Sequence, residues 1–526
     1  MKTIKYLLLP FKKHLYIFIV LFILFSTTSI YLHISVYHAY PYSLFLASHG
    51  YLLAYTTTLL LSMFPKTINK IITLIIVIGA SLFFILDFYC IYHLQTPFDA
   101  DFATLLMTTN FKEANEFIDS MIPISFIAIN ICFFLILGVC YYIVKHFCSI
   151  GYKIASILFI FVIISAYALY RNPSVYIHGI IGKITAIASY EIPDNLRSYF
   201  SHPQLITLRQ TPKNIVVIIG ESHSKHHSSL YGYNKCTNPK LKKLATDSTL
   251  YIFNNVTSSA LTTMSSFKYM MSSYGPNTKE KDKNWYEHIL LIDVLEQANY
   301  QTHWFSNHAK AGISNNVTRL FAEACNDNHF YGNSLSGDFR TSYDEGVIDL
   351  AKPLIPQYDK YKSNFYLFHL MGSHFKFDCR YPKEFSRFKG SDYYDKLEHQ
   401  RETLATYDNS ILYNDHIVYE IIELFKDKEA IILYLSDHGL DIYNSSDDYA
   451  AHGKHSDSIS RKYGSEIPLL IYSSNLYKEK YPDVINRISK SINKSFRTDN
   501  LMYLLMDIIG ISFANNNNVE TYSPLL

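Results

Sequence analysis

Residues 214–224 read NIVVIIGESHS: five consecutive aliphatic residues, Ile215 to Ile219, stop at Gly220 and give way at once to the polar Glu221-Ser222-His223-Ser224. An unbroken β-branched run bounded by glycine is the pattern of a strand buried on both faces, as in a parallel sheet. Three further runs share it: Asn364–Met371 (NFYLFHLM), Ala430–Ser436 (AIILYLS) and Ile467–Ser473 (IPLLIYS). Helical spacing over 285–298 and 404–426 falls between them. Residues 213–526 are therefore predicted to form an α/β domain whose parallel sheet is covered by helices.

Upstream the composition changes. The first 170 residues hold nine lysines and six acids, whereas the remaining 356 hold 77 charged residues. Five apolar stretches, about 14–33, 43–64, 71–92, 122–144 and 154–170, approach the ~20 residues that cross a bilayer as a helix. Lysines 2 to 13, Lys66, Lys70, Lys145 and Lys153 fall on one side of these spans, and the acid-rich loop 93–121 falls on the other. The positive-inside rule then puts the N-terminus in the cytoplasm and everything after residue 170 outside. The expected division is a transmembrane domain at 1–170, a bridging or interfacial segment at 171–212 and a soluble domain at 213–526. Asp87, near the outer end of the third span, is expected to reach the interface. A net charge of +2 without a long basic run gives no nucleic-acid footprint. Only Cys236, Cys325 and Cys379 lie in the soluble part, which allows one disulfide at most and no cysteine-based zinc site.

The chemistry is expected where the strands stop, because open α/β sheets bind ligands at the carboxyl ends of their strands. The first run ends in Glu221, the second runs into Gly372-Ser373-His374, and the third ends in Asp437-His438. Glu, Asp and His together offer two oxygens and a nitrogen, a donor set suited to zinc with a position left for a reacting group. A nucleophile is expected from Asn255–Ser272 (NVTSSALTTMSSFKYMMS), where hydroxyls precede an apparent helix start. A hydroxyl there gains from the helix dipole and from a neighbouring metal, and Thr262 and Thr263 satisfy the pattern equally. His452, in Ala451-His452-Gly453, is a candidate contact for phosphate or a second metal.

These residues resemble a known family. Gly220–Pro239 (GESHSKHHSSLYGYNKCTNP), the threonine-rich stretch, Tyr407–Val418 (YDNSILYNDHIV) and Ser436–Gly439 (SDHG) are similar to the phosphoethanolamine transferases of the Gram-negative inner membrane. That family includes the lipid A modifiers behind polymyxin resistance and the core-oligosaccharide modifiers. The resemblance spans essentially the whole chain. It implies five transmembrane helices and a periplasmic domain of the sulfatase/alkaline-phosphatase fold, acting as a monomer. It also implies zinc held by Glu221, Thr263, Asp437 and His438, with Thr263 as nucleophile, so that Thr263 is preferred to Thr262. His374 and His452 match the histidines that bind phosphoethanolamine or a second zinc, and Thr109 and Glu113 resemble substrate-contacting positions in the outer loop. The implied reaction moves phosphoethanolamine from phosphatidylethanolamine to lipopolysaccharide, at lipid A or a core sugar.

Two departures stand out. Leu105 replaces an expected Asn, and Ser259 and Tyr269 stand where lipid A modifiers carry a disulfide, so the SLYGY form leans toward the core-modifying branch. Within the fold the rivals are a phosphoglycerol transferase and a phosphatase or sulfatase. A formylglycine sulfatase needs Cys or Ser followed by x-Pro-x-Arg, which neither Cys379-Arg380-Tyr381-Pro382-Lys383 nor the threonine-rich stretch supplies. A scaffold or transporter would carry functional charges inside its spans, where only Asp87 is found.

Overall fold

The structure, a computed structural model, describes residues 2–35, 40–94, 97–98, 102–103, 118, 122–171, 181, 183–185, 193–247, 249–278, 283–308, 317–331, 343–447, 450–451, 457–514, 523 and 525. The chain divides into two compact units, Met1–Met107 with Ile118–Glu191, and Thr108–Phe117 with Ile192–Leu526.

The first unit holds five long helices: α1 (Leu15–Ser35), α2 (Tyr40–Met63), α3 (Lys66–Tyr89), α4 (Ile124–Phe147) and α5 (Tyr152–Arg171). Each includes a stretch long and apolar enough to cross a membrane, and they match the five expected spans with ends shifted by a few residues. Runs such as YIFIVLFILF (residues 16–25) carry no charge, and a helix satisfies its own backbone hydrogen bonds, as hydrocarbon surroundings demand. Pro65 and Pro123 stand at the N-caps of α3 and α4, where a missing N–H breaks no helical bond. Helices α1 and α2 approach closely at Gly50, where a Cβ would overlap the Ser26 hydroxyl.

Asp87 corrects the sequence expectation. It is not exposed as a carboxylate at an interface would be: it is fully buried, and Lys183 Nζ donates to its two oxygens at 2.8 and 2.6 Å while the Phe98 N–H donates at 2.9 Å. A carboxylate in an apolar helix is held only with such partners. Lys183 comes from the segment expected to bridge the domains, far along the sequence, which is why the pairing was not legible.

The second unit is built on a seven-stranded sheet. In chain order its strands are β1 (Asn214–Gly220), β2 (Leu250–Phe253), β3 (Gln301–Ser306), β4 (Asp327–Phe330), β5 (Asn364–His369), β6 (Ala430–Ser436) and β7 (Leu469–Ser473), arranged β2-β7-β6-β1-β5-β3-β4. β1 lies at the centre, parallel to β5 and β6, and is buried at every position. Ile215, Val217 and Ile219 enter one core, and Val216 and Ile218 enter the other, so both faces are covered and the strand reads as unbroken hydrophobe. Truncating one of these, as in Ile218→Ala, costs about 2–5 kcal/mol.

The expected all-parallel sheet is corrected at β7, which runs antiparallel to both β6 and β2. The chain leaves β6 at the edge marked by Leu435 and re-enters opposite it at Leu469. Gly439 N donates to Gly464 O at 2.8 Å, closing the excursion between them. A strand entering from the edge that the chain has just left can only run backwards, since a parallel strand needs a crossover to the opposite edge.

Candidate active site

Three strands end at one level: Gly220 of β1 pairs with Ser436 of β6, and Ile219 pairs with His369 of β5. Glu221 and Asp437 therefore emerge side by side. The chain turns sharply after Glu221, because Ser222 adopts φ +60, a left-handed conformation that serine seldom holds unsupported. The support is specific. Ser222 N donates to Asp437 Oδ1 at 3.1 Å and Ser222 Oγ to Glu221 Oε1 at 2.7 Å. Tyr407 Oη donates to Ser222 O at 2.7 Å and accepts from Ser224 N at 2.9 Å.

Tyr407 belongs to the helix α6 (Glu398–Phe425), whose next residue, Asp408, accepts from His227 at 2.7 Å, from Tyr233 Oη at 2.7 Å and from Tyr393 Oη at 2.5 Å. The YDNS and SLYGY residues thus clamp the loop that carries Glu221. From the other side Gly372, at φ +50, lets the turn after β5 press on Glu221, since a Cβ there would lie 2.8 Å from Glu221 N and 2.9 Å from Glu221 O. Asp344, buried and unsuspected from sequence, secures that turn by accepting from Met371 N and Gly372 N at 2.8 and 2.9 Å.

Glu221, Asp437 and His438 each present a ligand atom, all within 4.8 Å of one another, and all three residues are buried. Asp437 Oδ1 accepts from His438 N at 2.7 Å as well as from Ser222 N, whereas Oδ2 is buried and accepts no hydrogen bond, lying 3.4 Å from His438 Nε2. His438 Nδ1 bonds Gly439 O at 2.9 Å and so carries a proton, which turns Nε2 toward Glu221 Oε1 at 3.3 Å. Burial favours a neutral Glu221, yet the His438 hydrogen bond and charge, with His374 and His308 behind them, hold its carboxyl well below the usual range. Burial and the Glu221 charge push Asp437 up. His438 is raised to about 9, where the two carboxylates outweigh the burial that opposes its charge. Two buried carboxylates facing one imidazole, with an orphaned oxygen, fit a divalent cation. The oxygen-oxygen-nitrogen set, with a hydroxyl beside it, fits zinc.

The hydroxyl is Thr263. It is the first residue of a helix, Thr263–Met270, and its Oγ1 donates to Glu221 Oε2 at 2.9 Å and lies 3.4 Å from His438 Nε2. Thr262 is the exposed N-cap residue, so the structure separates the two threonines. Ser258 fastens this segment to the sheet edge, donating from Oγ to Asp437 O at 2.5 Å. Ser259 bonds Asp499 through Oδ1 and N at 3.0 and 2.9 Å, and all seven cysteines are free.

His374 is half-buried on the turn pressed against Glu221. Thr109, Glu113 and His452 lie outside the described residues. Sequence reasoning passed over His308 and His369, which with Glu221 form a second group of ligand-type side chains within 4.8 Å. His369 was in view as the end of β5, but its neighbour His374 drew the chemistry away from it.

A family profile described as sulfatase matches residues 213–511. The phosphoethanolamine transferase EptC of Escherichia coli strain RS218 is 28% identical over 314 residues, covering 57% of this chain and 52% of that protein. The chain thus spans about half the length of the curated relatives it matches first. Among solved structures, the integral membrane phosphoethanolamine transferase EptA of Neisseria meningitidis superposes with a TM-score of 0.68 at 15% identity, over 97% of each chain. The periplasmic domain of Escherichia coli EptC, solved in complex with zinc, gives 0.54 at 24% identity, over 61% of this chain and 89% of that one. At these identities the likeness is one of fold.

Proposed function

This chain belongs to the sulfatase family, and from that premise we propose that it is a zinc-dependent transferase moving phosphoethanolamine from phosphatidylethanolamine to lipopolysaccharide. The observation that carries the reading is the Thr263 hydroxyl, set at a helix N-terminus and hydrogen-bonded to the buried Glu221 within the cluster of Asp437 and His438. The relatives named phosphoethanolamine transferase and the zinc-bound EptC domain support the same chemistry.

Glu221, Thr263, Asp437 and His438 would hold the zinc, which supplies Lewis acidity that makes an alkoxide accessible near neutral pH. Thr263 Oγ1 attacks the phosphorus of the donor while Glu221 accepts its proton and passes it to solvent; the P–O bond to diacylglycerol breaks on the opposite side, and the departing oxygen takes its proton from water. The N-terminal N–H groups of the Thr263–Met270 helix face the phosphoryl oxygens and favour their charge. Phosphoethanolamine is then esterified to Thr263, and a lipopolysaccharide hydroxyl or phosphate, at lipid A or a core sugar, takes the group and restores the threonine. His374 and His452 contact the phosphoethanolamine, and Thr109 and Glu113 contact the headgroup. The enzyme works as a single copy in a bacterial inner membrane with residues 213–526 in the periplasm, a placement supported by the lysine distribution and the five apolar helices.

The test is transfer by the purified full chain from phosphatidylethanolamine vesicles to lipopolysaccharide, read by mass spectrometry. The wild type modifies the acceptor and carries a phosphoethanolamine adduct on Thr263. Thr263→Ala lowers transfer by more than about 10³-fold and carries no adduct. Wild-type rates in that variant would remove Thr263 from the mechanism.

A further inference from the structure

We propose that Glu221, His308 and His369 form a second divalent-cation site, sharing the Glu221 carboxylate with the cluster of Asp437 and His438. One ligand atom from each of the three lies within 4.8 Å of the others, with Glu221 and His369 buried and His308 half-buried. The proposal goes beyond the transferase reading, which makes no use of either histidine.

The two rings are held as ligands are held. His308 Nε2 bonds the Leu370 carbonyl at 3.0 Å, so it carries the proton and leaves Nδ1 with a lone pair. A ligating histidine is oriented in this way, through its other nitrogen on a backbone carbonyl. His369 Nδ1 lies 3.4 Å from Ser306 Oγ, and its Nε2 is buried with no hydrogen-bond partner. The rings stack at 3.9 Å and 4°, and Phe267 closes the far side of His369 edge-on at 4.7 Å. An unpartnered buried nitrogen costs about 1–3 kcal/mol; His223 Nε2 carries that cost elsewhere in the unit, but His369 Nε2 has Glu221 and His308 beside it. A cation supplies the missing partner.

The carboxylate permits sharing. Glu221 is a member of both groups, and a carboxylate has two oxygens with which to bridge two ions. Two imidazole nitrogens and one carboxylate oxygen make a borderline set suited to zinc or a similar divalent ion, with an open position for a phosphoryl oxygen. Ions that share such a carboxylate typically sit ~3.5–4 Å apart and act on one substrate group together.

The experiment uses the full chain in detergent, stripped of metal, equilibrated with zinc alone and freed of excess by gel filtration, with bound zinc counted by mass spectrometry. The expected count is two per chain, falling to one in His308→Gln, which keeps a donor for Leu370, and to one in His369→Ala. Circular dichroism confirms that both variants are folded. With cobalt in place of zinc, the wild type gives the spin coupling of a bridged pair, and His308→Gln loses it. A wild-type count of one that Asp437→Asn abolishes and His308→Gln leaves alone overturns the second site while the first stands. A count of one abolished by either variant shows a single shared ion and overturns it as well. A count of zero overturns both.

Discussion

Buried carboxylates in this protein are treated in two opposite ways, shown by Asp87 in the helical unit and by Glu221 and Asp437 in the sheet unit. Asp87, in the helical unit, receives Lys183 on both oxygens and an amide N–H besides, so its charge is answered in full. Glu221 and Asp437, in the sheet unit, share one imidazole, and Asp437 Oδ2 is left without a donor. The first arrangement is closed and belongs to architecture. The second is open, and its donor set suits a divalent cation. Burial alone does not mark a functional charge; a deficit in its partners does.

The comparison breaks first at the closed pair. Lys183→Met strands Asp87 and is expected to destabilise the helical unit by about 3–5 kcal/mol, whereas Asp87→Leu combined with Lys183→Met recovers most of the loss. Denaturant melts in detergent, followed by circular dichroism, measure both, and equal losses in the single and double variants would show that the pair is not a unit. Next comes the contact that shapes the open cluster. Gly372→Ala places a Cβ against the Glu221 backbone at a positive φ, costing about 1–3 kcal/mol by the same melt and weakening zinc binding by calorimetry.

The open cluster also titrates. His438 is raised to about 9 in the metal-free chain, and zinc takes the neutral ring, so binding releases a proton. Zinc affinity should climb about tenfold per pH unit between about 7 and 9, more steeply below 7 where Asp437 also holds a proton, and level off above 9, read from competition with a chelator of known pH dependence. The smallest effect has the most telling sign. Asp437→Asn removes an unanswered charge, so at pH 8 the metal-free variant should melt ~2–4 °C higher than the metal-free wild type, about 1 kcal/mol of relief. Zinc should then stabilise the wild type and not the variant. A lower melting temperature in the metal-free variant would show that Asp437 is already satisfied.

Most of the sheet's core was legible, because Asn214–Gly220 and Ala430–Ser436 are covered on both faces and so read as hydrophobe from end to end. β3 was not, since Gln301–Ser306 (QTHWFS) interleaves polar residues whose hydrogen-bond partners lie far along the chain: His303 bonds Asn364 of β5, and Thr302 accepts from the Asn326 backbone just before β4. The direction of β7 depends on which edge the chain re-enters, a property of the loop before it rather than of IPLLIYS. Glu221, Asp437 and His438 were legible because strand ends collect ligands whatever the details of packing. His308 and His369 were not, because a histidine within or just past a strand has the same sequence signature whether it fills a core or faces an ion. Residue chemistry alone left Thr262 and Thr263 equal and only the resemblance preferred Thr263; the helix start separates them physically, with Thr263 Oγ1 on Glu221 and Thr262 exposed.

The reversed strand has a consequence for how such a protein diversifies. The segment between Gly439 and Gly464 leaves and returns at points joined by one backbone hydrogen bond. Doubling the length of a segment anchored in this way adds only ~0.6 kcal/mol of closure entropy. Apart from the buried Leu440–Ile442 and Ser460, and from His452, descendants of this sequence can lengthen the segment while β6, β7 and the Asp437-His438 pair just before it keep their register. Length changes there can therefore accumulate beside an unchanged Asp437-His438 pair, so the surface next to the cluster can vary while the cluster itself stays as it is.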